Sequence, residues 1–218
     1  MSLPQIMKLL SLLLGTILSL CYAYQILYLF VPFFKKQPPV TADKLHRYAI
    51  LIAARNEEAV LPHLLQSIRQ QDYPPELFTT FVVADNCTDR TAQVAAQYGA
   101  VVFSRFDREK VGKGYALNYL LSQIDAAEGW DQFDAFLVFD ADNLLEKDYL
   151  RQINKVCTQG YDAFCGYRNS KNFGGNWVSA GHSLWYLHES THLNRSRMLL
   201  GNPCMVSGTG FGFTRHSY

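Results

Sequence analysis

The chain has 218 residues, is 49% hydrophobic, and sets 20 Lys and Arg against 19 Asp and Glu, for a formal net charge of +1. That length supports one domain with a real core plus a small appendage, and a near-neutral balance with no basic run argues against nucleic acid as a partner. Five cysteines, odd in number and without a CxxC pair, argue against a disulfide framework or a cysteine zinc cage and read as reduced thiols.

No charged residue occurs from Leu9 to Phe34. As a helix that run would reach roughly 39 Å, enough to cross a bilayer with tilt. Tyr22, Tyr24, Tyr28, Phe30, Phe33 and Phe34 fall in its second half, where an aromatic belt would meet the headgroups. A cleaved leader would have a shorter apolar region, and no small-x-small site precedes Lys35-Lys36. Lys8 alone precedes the run, whereas Lys35, Lys36, Lys44 and Arg47 follow it, which places the C-terminal side in the cytoplasm. The expected organisation is an anchor over 1–36, a linker over 37–46 stiffened by Gln37-Pro38-Pro39, and a domain over 47–218 in the cytoplasm.

Past the linker, strand-like and helix-like patterns alternate. Tyr48 to Ala54 is an apolar run suited to a strand buried on both faces. Glu57 to Gln70 carries Val60, Leu61, Leu64, Leu65 and Ile68 at helical spacing. Phe81–Ala84, Ala100–Phe103, Ala135–Phe139 and Ala163–Tyr167 read as strands, and Asp89–Tyr98, Lys113–Ile124 and Lys147–Cys157 as helices. The alternation predicts an α/β fold: a mostly parallel sheet with helices on both faces.

The polar residues of interest all follow strands, on the edge where open α/β sheets bind ligands. Arg55-Asn56-Glu57 follows the first strand, Asp85-Asn86 the second, and Asp140-Ala141-Asp142 the fourth. Asp140 and Asp142, two apart at a strand end, can converge as hard oxygen ligands for Mg²⁺ or Mn²⁺ carrying a diphosphate, although Asp-x-Asp also occurs in solvated turns. Asp85 can equally cap the following helix. Lys113 sits between Gly112 and Gly114, where bare backbone lets an ammonium reach a phosphate; the plainer alternative is a solvated lysine at a helix start.

Ile52-Ala53-Ala54-Arg55-Asn56-Glu57-Glu58, Val82 to Asp89, Gly112 to Asn118 and Asp140-Ala141-Asp142 occur in that order. Together they resemble the membrane-associated family 2 glycosyltransferases of GT-A fold, the group of cellulose, chitin and hyaluronan synthases, over residues 46–218. The resemblance implies a GT-A (Rossmann-like) domain that takes a UDP-sugar donor. It places nucleotide-sugar contacts at Ala54, Arg55, Asn56, Glu57, Asp85, Asn86, Lys113, Asp140 and Ala141. It further implies Asp85 as the acceptor of the uracil N–H, and Asp142 as the direct metal ligand with Asp140 as its partner. Glu57 can also be a plain helix-start carboxylate.

The stretch from Asn202 to Phe213 resembles the family's small-residue loop beside the acceptor, with Ser207, Gly208, Thr209 and Gly210 at its centre. A glycine-rich turn before a strand is the alternative. The resemblance also implies transfer with inversion to a glycan or lipid-linked acceptor. It leads us to expect the catalytic base beyond Tyr218, since no Asp or Glu follows Glu189. On that expectation the 218 residues are a truncated enzyme, or a membrane-tethered module that binds nucleotide sugar without chemistry.

Trp177, Trp185 and Tyr186 can stack on a sugar, but aromatics at helical spacing more often pack a core. His188-Glu189-Ser190-Thr191-His192 matches the zinc-peptidase pattern H-E-x-x-H. Arg195 and Met198 stand where its extended form needs Gly and His, and Cys204 or His216 would have to substitute. Polar residues of an amphipathic helix are the simpler reading.

Overall fold

A computed structural model of the chain describes residues 2–36, 40, 44–170 and 173–215; Gln37-Pro38-Pro39 and His216 lie outside them. Two compact units emerge, one formed by Pro39–Gly166 with Val206–Tyr218 and the other by Met1–Pro38 with Tyr167–Met205.

The first unit is a six-stranded sheet in the order β3-β2-β1-β4-β6-β5. Its strands are β1 (Tyr48–Ala54), β2 (Phe78–Asp85), β3 (Val101–Arg105), β4 (Ala135–Asp140), β5 (Ala163–Cys165) and β6 (Phe211–Thr214). β1 to β4 are mutually parallel, as alternating helices require. The helices are α3 (Leu61–Arg69), α4 (Thr91–Gln97), α5 (Lys113–Ala127) and α6 (Tyr149–Thr158). Side chains of each strand alternate between two cores. Ile50, Ile52, Val82 and Leu137 pack with Leu61, Leu64 and Ile68 of α3 and Leu150 and Ile153 of α6. Leu51, Phe81, Val83 and Phe136 pack with Ala116, Leu120 and Ile124 of α5. Helices thus cover both faces.

Element boundaries differ from the sequence expectation at several places. The helix expected from Glu57 begins at Leu61, because the Glu57 and Glu58 amides bond instead to Thr91 Oγ1 (2.8 Å) and Asp89 Oδ2 (3.2 Å). The strand expected to reach Tyr167 ends at Cys165. β6 begins at the end of the Asn202–Phe213 stretch, after the Ser207–Gly210 bend, as the alternative of a glycine-rich turn before a strand expects, and runs antiparallel to both β4 and β5. Gly212 obscured that strand and also permits it: a Cβ there would lie 2.3 Å from the Phe164 ring and 2.7 Å from Leu137.

The second unit holds α1 (Leu3–Tyr22), α2 (Tyr24–Phe34), α7 (Trp177–His188), a π-helical turn (Glu189–Asn194) and α8 (Arg195–Leu200). The apolar run is therefore longer than Leu9–Phe34 and is interrupted at Ala23. Taken together, Leu3–Phe34 is long and apolar enough to cross a membrane. Its end is tied to α8: the Ser196 hydroxyl donates to Tyr28 O (2.6 Å), and Lys35 Nζ to Leu199 O (3.4 Å).

Candidate functional site at the carboxyl edge of the sheet

β2, β1 and β4 lie side by side and parallel, so their carboxyl ends open on one edge. Ala54 pairs with Ala84, and Ala53 with Asp140. Asp85 ends β2 and Asp140 ends β4, so one strand separates them, about 10 Å by ordinary sheet spacing.

On the β2 side, Asp85 is 5% exposed and its Oδ1 accepts from Arg105 Nη1 at 2.6 Å. Arg105 is itself buried at the end of β3 and donates through Nη2 to Asp107 Oδ2 (2.9 Å) and Lys110 O (2.7 Å). The pair holds the carboxylate in one orientation. The helix-cap alternative for Asp85 fails, because Asp89 Oδ1 accepts from the Thr91 amide (3.0 Å).

Asn56 and Asn86 each follow a strand at positive φ, 56° and 52°, a conformation Asn tolerates better than most residues. Asn56 Oδ1 accepts from the Thr88 amide (2.8 Å), joining the loops after β1 and β2. Asn86 exchanges two bonds with the Asp107 backbone (2.9 and 3.0 Å), joining the loops after β2 and β3. Both hold the rim together. Ala54 and Ala141 are buried, so only their backbones can meet a ligand. Arg55 is exposed and lines a cleft with Asn86, Cys87, Thr88, Phe106, Arg108 and Val111.

On the β4 side, Lys113 opens α5 after Gly112, at φ 134°, and its ammonium pairs with Asp140 Oδ1 and donates to Gly208 O. It is therefore not a solvated helix-start lysine. The Asp140 amide donates to Thr209 Oγ1 (2.8 Å) and Asn143 Oδ1 (3.1 Å), and Thr209 Oγ1 donates to Asn143 Oδ1 (2.5 Å). Gly210 N donates to Val138 O (2.9 Å). The Ser207–Gly210 loop is thus bonded to the Asp140 turn, which brings that loop to the site.

Burial pushes the Glu57 carboxyl above the ordinary range, reinforced by the nearby charges of Asp142, Asp89 and Asp140. Glu57 is therefore part of an acidic patch and not a helix-start residue. Among the described residues no three His, Cys, Asp or Glu side chains form a ready-made metal cage. A carboxylate pair fits an ion whose remaining ligands are phosphate oxygens and waters, the usual habit of Mg²⁺.

Arg105, Phe106 and Arg108 were not anticipated. The available signal was an arginine, Arg105, ending a strand two residues beyond Phe103, on the same face.

The sequence profile described as "Glycosyltransferase like family 2" matches residues 46–218. The chain belongs to that family. Among curated relatives, a beta-monoglucosyldiacylglycerol synthase from Synechocystis sp. is 38% identical over 109 residues, 48% of this chain and 21% of that protein. One from Nostoc sp. is 30% identical over 164 residues, 72% of this chain and 35% of that protein. The chain thus spans about a third or less of the length of these relatives. A mannosyltransferase from Pyrobaculum calidifontis, solved with GDP-Man and Mn²⁺, superposes with TM-score 0.65 at 18% identity, over 92% of this chain and 55% of that one. That likeness establishes the GT-A fold of this family 2 domain.

The H-E-x-x-H segment lies in the other unit and is otherwise engaged. The His188 and His192 rings stack at 5.6 Å, and Glu189, 2% exposed, pairs with Arg168 at 3.1 Å. The expectation that Trp177 and Trp185 pack a core is corrected: they are 86% and 53% exposed.

Proposed function

We propose that this family 2 domain binds a UDP-sugar through a divalent cation, Mg²⁺ or Mn²⁺, and transfers the sugar with inversion to a glycan or lipid-linked acceptor at the cytoplasmic face of a membrane. One observation carries the reading. The Asp85–Arg105 pair and the Lys113, Asp140, Asp142 and Glu57 group flank β1 on one sheet edge, at a spacing a nucleoside diphosphate can bridge.

Arg105 occupies one oxygen of Asp85, and the second can accept a single hydrogen bond from the N–H of uracil. Guanine would present two adjacent donors to a carboxylate with one oxygen committed. Lys113 can exchange its contacts with Asp140 and Gly208 for diphosphate oxygens as a point charge. Asp142 and Asp140 would hold the cation, and Glu57 would deepen the negative field there. When bound, the cation supplies Lewis-acid stabilisation of charge on the departing diphosphate. The Ser207–Gly210 loop, tied to Asp140, borders the sugar on the acceptor side. The names of the Synechocystis and Nostoc relatives support a diacylglycerol-type lipid acceptor.

Calorimetry of UDP binding with Mn²⁺ and with chelator tests the assignment. Asp142→Ala should lose the Mn²⁺-dependent part of the affinity, and Asp85→Ala should lose the preference for UDP over GDP. Unchanged Mn²⁺-dependent affinity in Asp142→Ala overturns the metal assignment.

A further inference from the structure

The helical unit is inverted relative to a protein made for water. Among its described residues the buried ones are Ser183, Glu189, Ser196 and a single hydrophobe, Leu193. On α7, Trp177, Leu184 and Trp185 recur at i, i+7 and i+8 and are 86%, 57% and 53% exposed, forming one stripe. The opposite face carries Ser179 and Ser183, whose hydroxyl donates to Ser179 O (2.8 Å). It also carries Tyr186, whose ring lies 4.9 Å from the Arg168 guanidinium. Polar groups inside and tryptophan and leucine outside are what a helix shows when its surroundings are partly hydrocarbon.

Two independent observations name those surroundings. The first is charge. Beyond the span the unit's sequence holds Lys35, Lys36, Arg168, Lys171, Arg195 and Arg197 against Glu189 alone, a net +5 in a chain of net +1. The second is depth. The bonds from Ser196 to Tyr28 and from Lys35 to Leu199 fix α8 where the apolar run of α2 gives way to Lys35-Lys36. In a bilayer crossed by Leu3–Phe34, that level is the headgroup layer.

We propose that α7 and α8 form a lipid-docking surface lying in the membrane interface. The Trp177–Leu184–Trp185 stripe enters the acyl boundary, and the basic residues meet anionic phospholipid headgroups. This attachment is additional to the spanning helix and stands whether or not the sheet edge binds a nucleotide.

The test uses the full chain in nanodiscs of phosphatidylcholine with 30% phosphatidylglycerol. Trp130→Phe leaves Trp177 and Trp185 as the only indoles. With acyl-brominated lipids their emission should be blue-shifted, strongly quenched by the bromines and shielded from aqueous iodide, with brominated phosphatidylglycerol quenching more than brominated phosphatidylcholine. The double variant Trp177→Phe/Trp185→Phe, reporting from Trp130, should show no lipid quenching. Quenching of Trp177 and Trp185 by iodide but not by bromines overturns the proposal. Silence toward both quenchers overturns it too, since a second copy or another protein segment would then cover the stripe. Equal quenching by the two brominated lipids overturns the anionic preference.

Discussion

In the sheet unit, Tyr48, Ala49, Ile50, Leu51 and Ile52 are fully shielded, and the buried charged side chains, Asp85 and Arg105, stand at strand ends. In the helical unit the shielded residues are mainly polar, and the large apolar ones face outward. The first partition is what water imposes on a chain that must bury hydrocarbon. The second suits surroundings that are themselves apolar, which the docking proposal assigns to lipid. Among the described residues each unit nevertheless keeps an ion pair with a buried carboxylate, Arg105–Asp85 and Arg168–Glu189. The two pairs allow the solvents to be compared with the same probe.

The largest effect is expected from breaking those pairs. Arg105→Met leaves Asp85 buried without its counter-charge and should destabilise the sheet unit by about 3–5 kcal/mol, seen as a lower thermal midpoint. Arg105→Lys should recover part of the loss, because an ammonium keeps the charge but cannot serve Asp85, Asp107 and Lys110 together. Arg168→Met should cost a similar amount in detergent if the interior of the helical unit is as closed as that of the sheet. A negligible cost would show that water reaches Glu189 and would weaken the contrast. Gly212→Ala comes next. Its Cβ would press on Phe164 and Leu137 where β5, β6 and β4 meet, an overpacking worth about 1–3 kcal/mol.

The four parallel strands and the helices between them were legible because each strand contains a short apolar run and the helices between them keep their period. β6 was legible only as an unplaced strand after a glycine-rich turn, since Gly212 contributes no hydrophobic signal to a strand its own smallness makes possible. At the site, Asp85, Asp140 and Asp142 could be found because charged residues at the ends of buried strands are conspicuous, and Lys113 because it stands between two glycines. Asn56 and Asn86 were found as positions, but their work of tying loop to loop depends on long-range bonds that no local pattern encodes. Arg105 escaped notice because its meaning lies in the register of β3 against β2, where Asp85 and Arg105 are paired. The outward-facing tryptophans of α7 were misjudged for a related reason: helical spacing reports that a helix has two faces, not which solvent each face meets.

A smaller, pH-dependent effect belongs to the sheet unit alone. Burial lowers the His46 pKa below its ordinary 6.5, only partly opposed by Asp134. The folded state therefore favours the neutral ring. Its contribution is fully present above pH 6.5 and is lost as pH falls through the lower folded-state value. His46→Gln should flatten the stability profile below pH 6.5 relative to wild type, measured by denaturant unfolding at a series of pH values. A variant as steeply pH-dependent as wild type would remove His46 from the account.

The smallest effect is the sharpest test of the contrast between units. Leu184→Gln alters a side chain that is 57% exposed on the outer stripe of α7, so in detergent the unfolding free energy should stay within about 0.5 kcal/mol of wild type. The same substitution at Leu120, fully buried against the sheet, would sink an amide into hydrocarbon without a partner and be plainly destabilising. Equal sensitivity at the two leucines would mean that the outer face of α7 is packed against protein. The inverted partition would then describe an interface between protein surfaces and no longer a surface made for lipid.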